Sequence, residues 1–194
     1  NGADVINMSL GAREAPYEVY SALQYAEHNN VVCVSSAGNG NRYGVPYSTP
    51  GYAAAWATEY GFAVGADNIY KQITSWSDRA GSNSKMQYVT APGAGVYSAY
   101  LNGGYATWSG TSMAAPHIAG ICALLKSHDK NLTPAQIKSF LTNSAGNQST
   151  LNNSFETISG IDENSLNLSI FSTDHLVEGT FDSDVLIGTD NEDN

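Results

Sequence analysis

The sequence predicts an α/β fold built on a mostly parallel sheet, and three observations predict it. Residues 5–36 read as strand, helix and strand with short joins, the pattern of a βαβ unit. The run "VVCV" at 31–34 is continuously apolar, as suits a strand buried on both faces. Further strand-like segments then lead into two helical stretches near residues 111–141.

Element by element, "DVINMSLG" is a strand carrying Val5, Ile6 and Met8 and running into a loop at Gly11. Residues 16–28 place Val19, Leu23 and Ala26 on one helical face, with Pro16 near the first turn and His28 at the end. The strand that follows breaks at Gly38, and residues 40–60 form a long loop rich in Gly, Pro and Tyr. "GFAVGA" (61–66), "KQITSW" (71–76), "KMQYVTAPG" (85–93) and "GVYSAY" (95–100) read as strands or strand ends separated by turns. "TSMAAPHIAGICALLKSH" is a helix. The next one opens with a capping box, Thr133 as N-cap, Pro134 in the first position and Gln136 in the third, and turns Ile137, Phe140 and Leu141 to one side. Beyond residue 142 the chain is rich in Asn and Ser, with one strand candidate at "LNLSIF".

Charge is sparse and unevenly placed. Only 13% of residues are charged, against about a quarter in ordinary globular chains. Residues 1–154 hold all eight Lys and Arg and eight Asp and Glu, whereas residues 155–194 hold ten Asp and Glu and no cation, so the tail carries the whole net charge of -10. That sign opposes nucleic acid as a partner. No apolar run is long enough for a membrane span, and the low charge with many Gly, Tyr, Ser and Asn points to a secreted, cell-surface or periplasmic protein. Cys33 and Cys122 lie in apolar runs without metal-ligand spacing and are expected to be buried free thiols, with a disulfide as the alternative if their Cβ atoms meet. Asn1 leads almost directly into a strand, without an initiator Met or a signal peptide, and "GTDNEDN" stops inside a repeat, so the chain is read as an internal portion of a longer protein.

The chemistry concentrates at "SGTSMAAPHIAG", residues 109–120. Ser112 follows the turn glycine Gly110, its neighbours are small, and a helix N-terminus favours the negative charge that develops in acyl transfer. Pro116 is read as lying still within the first turn, where N–H groups have no intrahelical partner. A nucleophile elbow is excluded because Ala114 stands where its second glycine belongs. "GNGNRYG" fails as a dinucleotide site, since Tyr43 replaces the third glycine and no helix pattern follows. No organic cofactor is expected.

Four blocks in order, "NGADVINMSLG", "SSAGNGN", "VTAPG" and "SGTSMAAPHIAG", with "YGVP" between the second and third, resemble the C-terminal part of the catalytic domain of a subtilisin-like serine protease over residues 1–145. The resemblance implies a three-layer fold lacking its N-terminal part, and a serine endopeptidase, monomeric as a full-length protein, that acts on polypeptides. It implies Ser112 as nucleophile and Asn39 as side-chain donor to the oxyanion, with the Ser112 N–H as the second donor. Ser9, Leu10 and Gly11 correspond to the segment that pairs with substrate backbone, and Ala37, Gly38 and Gly44 to the lining of the first specificity pocket. With small residues and no charge evident, that pocket is expected to accept apolar or aromatic side chains. The family's acid and general base precede its substrate-binding strand, and no residue here matches either one. His117 corresponds to a structural histidine of the nucleophile helix and, five residues past Ser112, points away around that helix.

Residues 146–174 are read as an irregular linker and 175–194 as an acidic tail. Within the tail, Gly179-Thr180 recurs as Gly188-Thr189 and Asp184 as Asp193. The offset resembles the start of glycine- and aspartate-rich calcium-binding nonapeptide repeats, with Asp184 and Asp193 as candidate ligands and structural calcium as the expected cofactor; a disordered acidic linker is the alternative. Two alternatives stand beside the protease: a non-catalytic binding module of the same fold, and a calcium-dependent structural or secretion module confined to the tail.

Overall fold

The computed structural model describes residues 2–145. Four strands, β1 (Val5–Met8), β2 (Val32–Ser36), β3 (Phe62–Asp67) and β4 (Tyr88–Pro92), form one sheet in chain order, every pairing parallel. Parallel neighbours need crossovers, and the first is α1 (Tyr17–His28). It opens behind Pro16, whose missing N–H costs nothing there, and turns Leu23 and Ala26 inward. β2 and β3 are buried along their whole length, which is why they read as apolar runs rather than alternating ones.

The strands' alternation sorts their side chains into two cores. Val32, Val34, Phe62, Val64 and Ala66 face α2 (Thr111–His128) and α3 (Pro134–Ser144), packing on Ala114, Ala115, Ile118, Cys122, Leu125 and Ile137. On the opposite face Cys33 meets Leu23 and Ala26 of α1, and Ala63 meets Ala37, Ala54, Ala57 and Tyr88. Helices therefore cover both faces of the sheet, the three-layer α/β arrangement. Cys33 and Cys122 are free and buried as expected, in different layers. Burial pushes their thiols up to about 11 and about 12 respectively, with Glu27 adding to the effect at Cys33. The α3 capping box forms as read: Gln136 N donates to Thr133 Oγ1 and Thr133 N to Gln136 Oε1.

Two readings are corrected. "KQITSW" is not a strand; only Ile73 makes an isolated antiparallel bridge, to Asp67. "GVYSAY" supplies β5 (Val96–Ala99), but this strand stands outside the parallel sheet and pairs antiparallel with β6 (Tyr105–Trp108), which the sequence did not mark. The hairpin exposes side chains on both faces, so its pattern lacks the apolar alternation that signals a half-buried strand. None of the described helices is long and apolar enough to cross a membrane.

Candidate active site

The C-terminal ends of β1 and β2 and the N-terminus of α2 bring Ser9, Asn39 and Ser112 together. Parallel strands release their chain at the same edge of the sheet, so the loops after β1 and β2 emerge side by side. α2 starts there too, because Gly110 N donates to Gly93 O at 2.8 Å, just past the end of β4.

Ser112 is the second residue of α2 and half-buried. Its Oγ donates to Ser9 O at 3.4 Å, a long contact for a hydroxyl. Its carbonyl is held more firmly, and Pro116 is the reason. The reading that Pro116 lies in the unpartnered first turn is corrected: counted from the N-cap Gly110 it is the sixth helical residue. An ordinary residue there would donate to Ser112 O, and proline cannot. Ser9 Oγ fills the vacancy, donating to Ser112 O at 2.7 Å while accepting from Asn7 Nδ2 at 3.0 Å. The proline thus leaves a carbonyl free for β1's extension to grip, and the helix start is tied to Ser9.

Asn39 is held by its oxygen. Asn39 Oδ1 accepts from Thr111 N at 2.8 Å and from Thr111 Oγ1 at 2.9 Å, and Gly38 N donates to Thr111 Oγ1 at 3.1 Å. With Oδ1 so engaged, Nδ2 is the end of the amide turned to the site. A Cβ on Gly110 would lie 3.5 Å from Asn39 Nδ2 and 3.7 Å from Ser112 N. Asn39 Nδ2 and Ser112 N therefore both lie within 4 Å of one point over Gly110. Thr111, fully buried, makes that arrangement, and the sequence reading missed it. Its adjacency to Ser112 was the available signal.

Other predicted site residues are placed as follows. Leu10 and Gly11 are exposed, with Leu10 O accepting from Ser36 Oγ at 3.3 Å and the next residue, Ala12, in a two-way backbone bridge with Tyr52. Ala37 turns its methyl into the core. Gly44 has nothing within 4 Å of where a Cβ would stand. Gly38 does not provide open space: its φ is +118°, and a Cβ would collide with Asp78 Oδ2. The absence of charge near this loop is likewise corrected, because the fully buried Asp78 and its ion-pair partner Arg13 lie against it. Asp78 was hidden in "SWSDRAG", a stretch without any motif. A cavity of about 570 Å³, lined by Arg13, Pro50, Gly51, Tyr52 and Trp56, contains none of Ser9, Asn39 or Ser112.

No histidine of the described residues bonds to Ser112 Oγ. His117 Nδ1 is 2.9 Å from Met113 O, one turn back on its own helix. Asp184 and Asp193 lie outside the described residues, as do "LNLSIF" and the segments 146–174 and 175–194. Among the described residues no group of three or more His, Cys, Asp or Glu could hold a metal ion.

The subtilase family matches residues 1–160. The chain belongs to that family. It is 38% identical over 147 residues to Subtilisin DY of Bacillus licheniformis, a match covering 76% of this chain and 51% of that protein. It is 36% identical over 138 residues to Minor extracellular protease Epr of Bacillus subtilis (strain 168), covering 71% of this chain and 20% of that one. The crystal structure of a cold adapted subtilisin-like serine proteinase shares the fold with a TM-score of 0.62 and 34% identity, over 74% of this chain and 49% of the other. This subtilase chain thus spans about half the length of these relatives, or less.

Proposed function

We propose that this chain carries the nucleophile and the oxyanion hole of a secreted serine endopeptidase. The observation that supports the reading is that Asn39 Nδ2 and Ser112 N lie within 4 Å of one point over Gly110, at the start of the helix that carries Ser112. In this reading Ser112 Oγ attacks the scissile carbonyl of a polypeptide. The carbonyl oxygen, taking up negative charge, receives both N–H groups, and the partial positive charge of the α2 N-terminus adds to them. An amide suits the Asn39 position because it donates without titrating. Ser9–Gly11 present backbone to the substrate. The first pocket takes apolar or aromatic side chains, since the charge of Asp78 is buried and paired with Arg13. The general base and its orienting acid then come from sequence outside these 194 residues. A secreted location draws support from the name of the Epr relative, an extracellular protease.

In the full-length protein, Ser112→Ala is expected to abolish acyl-enzyme formation. Asn39→Ala should slow kcat about 10²–10³-fold with little change in KM, the size of loss known for subtilisin's own oxyanion asparagine. An active-site-directed serine reagent should label Ser112 in the full-length enzyme and negligibly in the 194-residue chain. Intact-mass spectrometry reads both. Stoichiometric labelling of the monomeric 194-residue chain at Ser112 would place a base within it and overturn that part of the reading.

A further inference from the structure

Asn39 is exposed, and its own side chain is tied only through Oδ1 to Thr111. A hydrogen-bond donor lowers a barrier only if it is already aimed when charge develops. What aims this one lies beneath the loop. The backbone N–H of Asp78 donates to Gly38 O at 2.9 Å, and Asp78 Oδ1 accepts from Gly40 N at 3.0 Å. Gly38 and Gly40 are the two neighbours of Asn39, so a single residue grips the chain on both sides of it. Asp78 Oδ1 also accepts from Tyr47 N at 2.8 Å, closing the far end of the loop. Asp78 Oδ2 is paired with Arg13, which follows the Ser9–Gly11 segment by two residues. The Arg13 guanidinium carbon lies 3.5 Å from the centre of the Tyr47 ring. Asp78 O in turn accepts from the buried Tyr88 hydroxyl at 2.6 Å, which anchors the clamp to β4.

Burying a carboxylate is costly unless its oxygens are fully engaged, and here each oxygen has charge-assisted partners. Every partner of the carboxylate belongs either to the loop around Asn39 or to the segment after Gly11. A carboxylate serving only the core would bond elsewhere. We infer that Asp78 is a positioning residue for the oxyanion hole: it holds the backbone on either side of Asn39, so that Nδ2 is aimed before substrate arrives. The inference rests on the protease reading above.

The test is a mutant cycle in the full-length enzyme. Asp78→Ala should lower kcat about 10–100-fold while KM stays within about threefold, because the loss is felt by the transition state. Asp78→Asn keeps an acceptor for the Gly40 and Tyr47 amides and should recover most of kcat. In an Asn39→Ala background, Asp78→Ala should cost less than about threefold more, since no amide remains to be aimed. Equal losses in both backgrounds, or unchanged kcat in folded Asp78→Ala, would overturn the inference. If Asp78→Ala does not accumulate as folded protein, Asp78→Ser takes its place in the same cycle, with the same outcomes deciding. Ser112→Ala is measured alongside. Activity surviving in Ser112→Ala would sink the protease reading itself, whereas an inactive Ser112→Ala with an additive cycle would sink only the role of Asp78.

Discussion

Two loops flank the start of α2, and they are held in opposite ways. The loop at 38–47 has little ladder of its own. It is fastened by Asp78, Thr111 and Arg13, residues far from it in sequence, through buried or half-buried polar contacts. The β5–β6 hairpin is nearly self-sufficient. Its strands pair from Val96 with Trp108 to Ala99 with Tyr105, and exposed aromatics lie against each other, Tyr97 with Tyr105 at 5.3 Å and Tyr100 with Trp108 at 5.8 Å. Its base is joined to the rest through Gly95 N on Ser109 Oγ and Gly110 N on Gly93 O. A segment that must present one polar atom in one direction needs constraints from several other elements. A segment that presents a surface needs only its own register.

The sharpest way to break that comparison is at Gly38. Gly38→Ala forces a side chain into a left-handed backbone and against Asp78, and should destabilise the full-length protein by about 3 kcal/mol or more. Denaturant unfolding reads it. A loss below about 1 kcal/mol would mean that the loop yields easily and is not clamped.

A second, smaller effect lies between the two loops, at the end of β3. Asp67 is buried there, and its carbonyl accepts from Gly93 N at the foot of the hairpin. Burial pushes its carboxyl above the usual range, although a hydrogen bond from Thr90 and the charges of His117 and Lys71 pull it partly back. The raised value means that the folded state resists ionisation. The resulting contribution to stability is full below the ordinary carboxylate value and is lost as pH rises through the raised one. Asp67→Asn should therefore raise Tm relative to the parent at neutral pH, and the gain should vanish in acid. A gain independent of pH, or a loss at neutral pH, would contradict this account.

The smallest effect is expected in the hairpin. Tyr97→Ala removes one exposed partner of a stacked pair and should cost about 1 kcal/mol or less. Unfolding measurements showing a loss comparable with Gly38→Ala would mean that the hairpin is not self-sufficient, and the contrast between the loops would fail.

The elements legible in the sequence were those whose side-chain pattern matches their burial. β2, α2 and α3 were read nearly to their ends, because a fully buried strand, a small-residue helix start and a capping box each leave a local signature. Ile73 and β6 were misread or missed because neither carries one: the first makes a single bridge, the second lies open to solvent. Ser112 and Asn39 stood out by motif. The contacts that hold them did not: Asp78 has no local pattern, Thr111 is marked only by standing next to Ser112, and their partners lie 31 to 73 positions away.

By itself, then, the sequence determined the layers of this protein. Apolar periodicity, turn glycines and caps act within a few residues, and they decide which segments become helix or strand and which face each one buries. Pro116 was visible too, but its consequence was not: the carbonyl it leaves free is claimed by Ser9, at a separation of 103 residues from Ser112. Only the tertiary structure decided that Gly38 is small to admit a carboxylate, and that the carboxylate grips both sides of Asn39. Such contacts are set by how parallel strands bring their ends to one edge, where groups distant along the chain meet at hydrogen-bond distance.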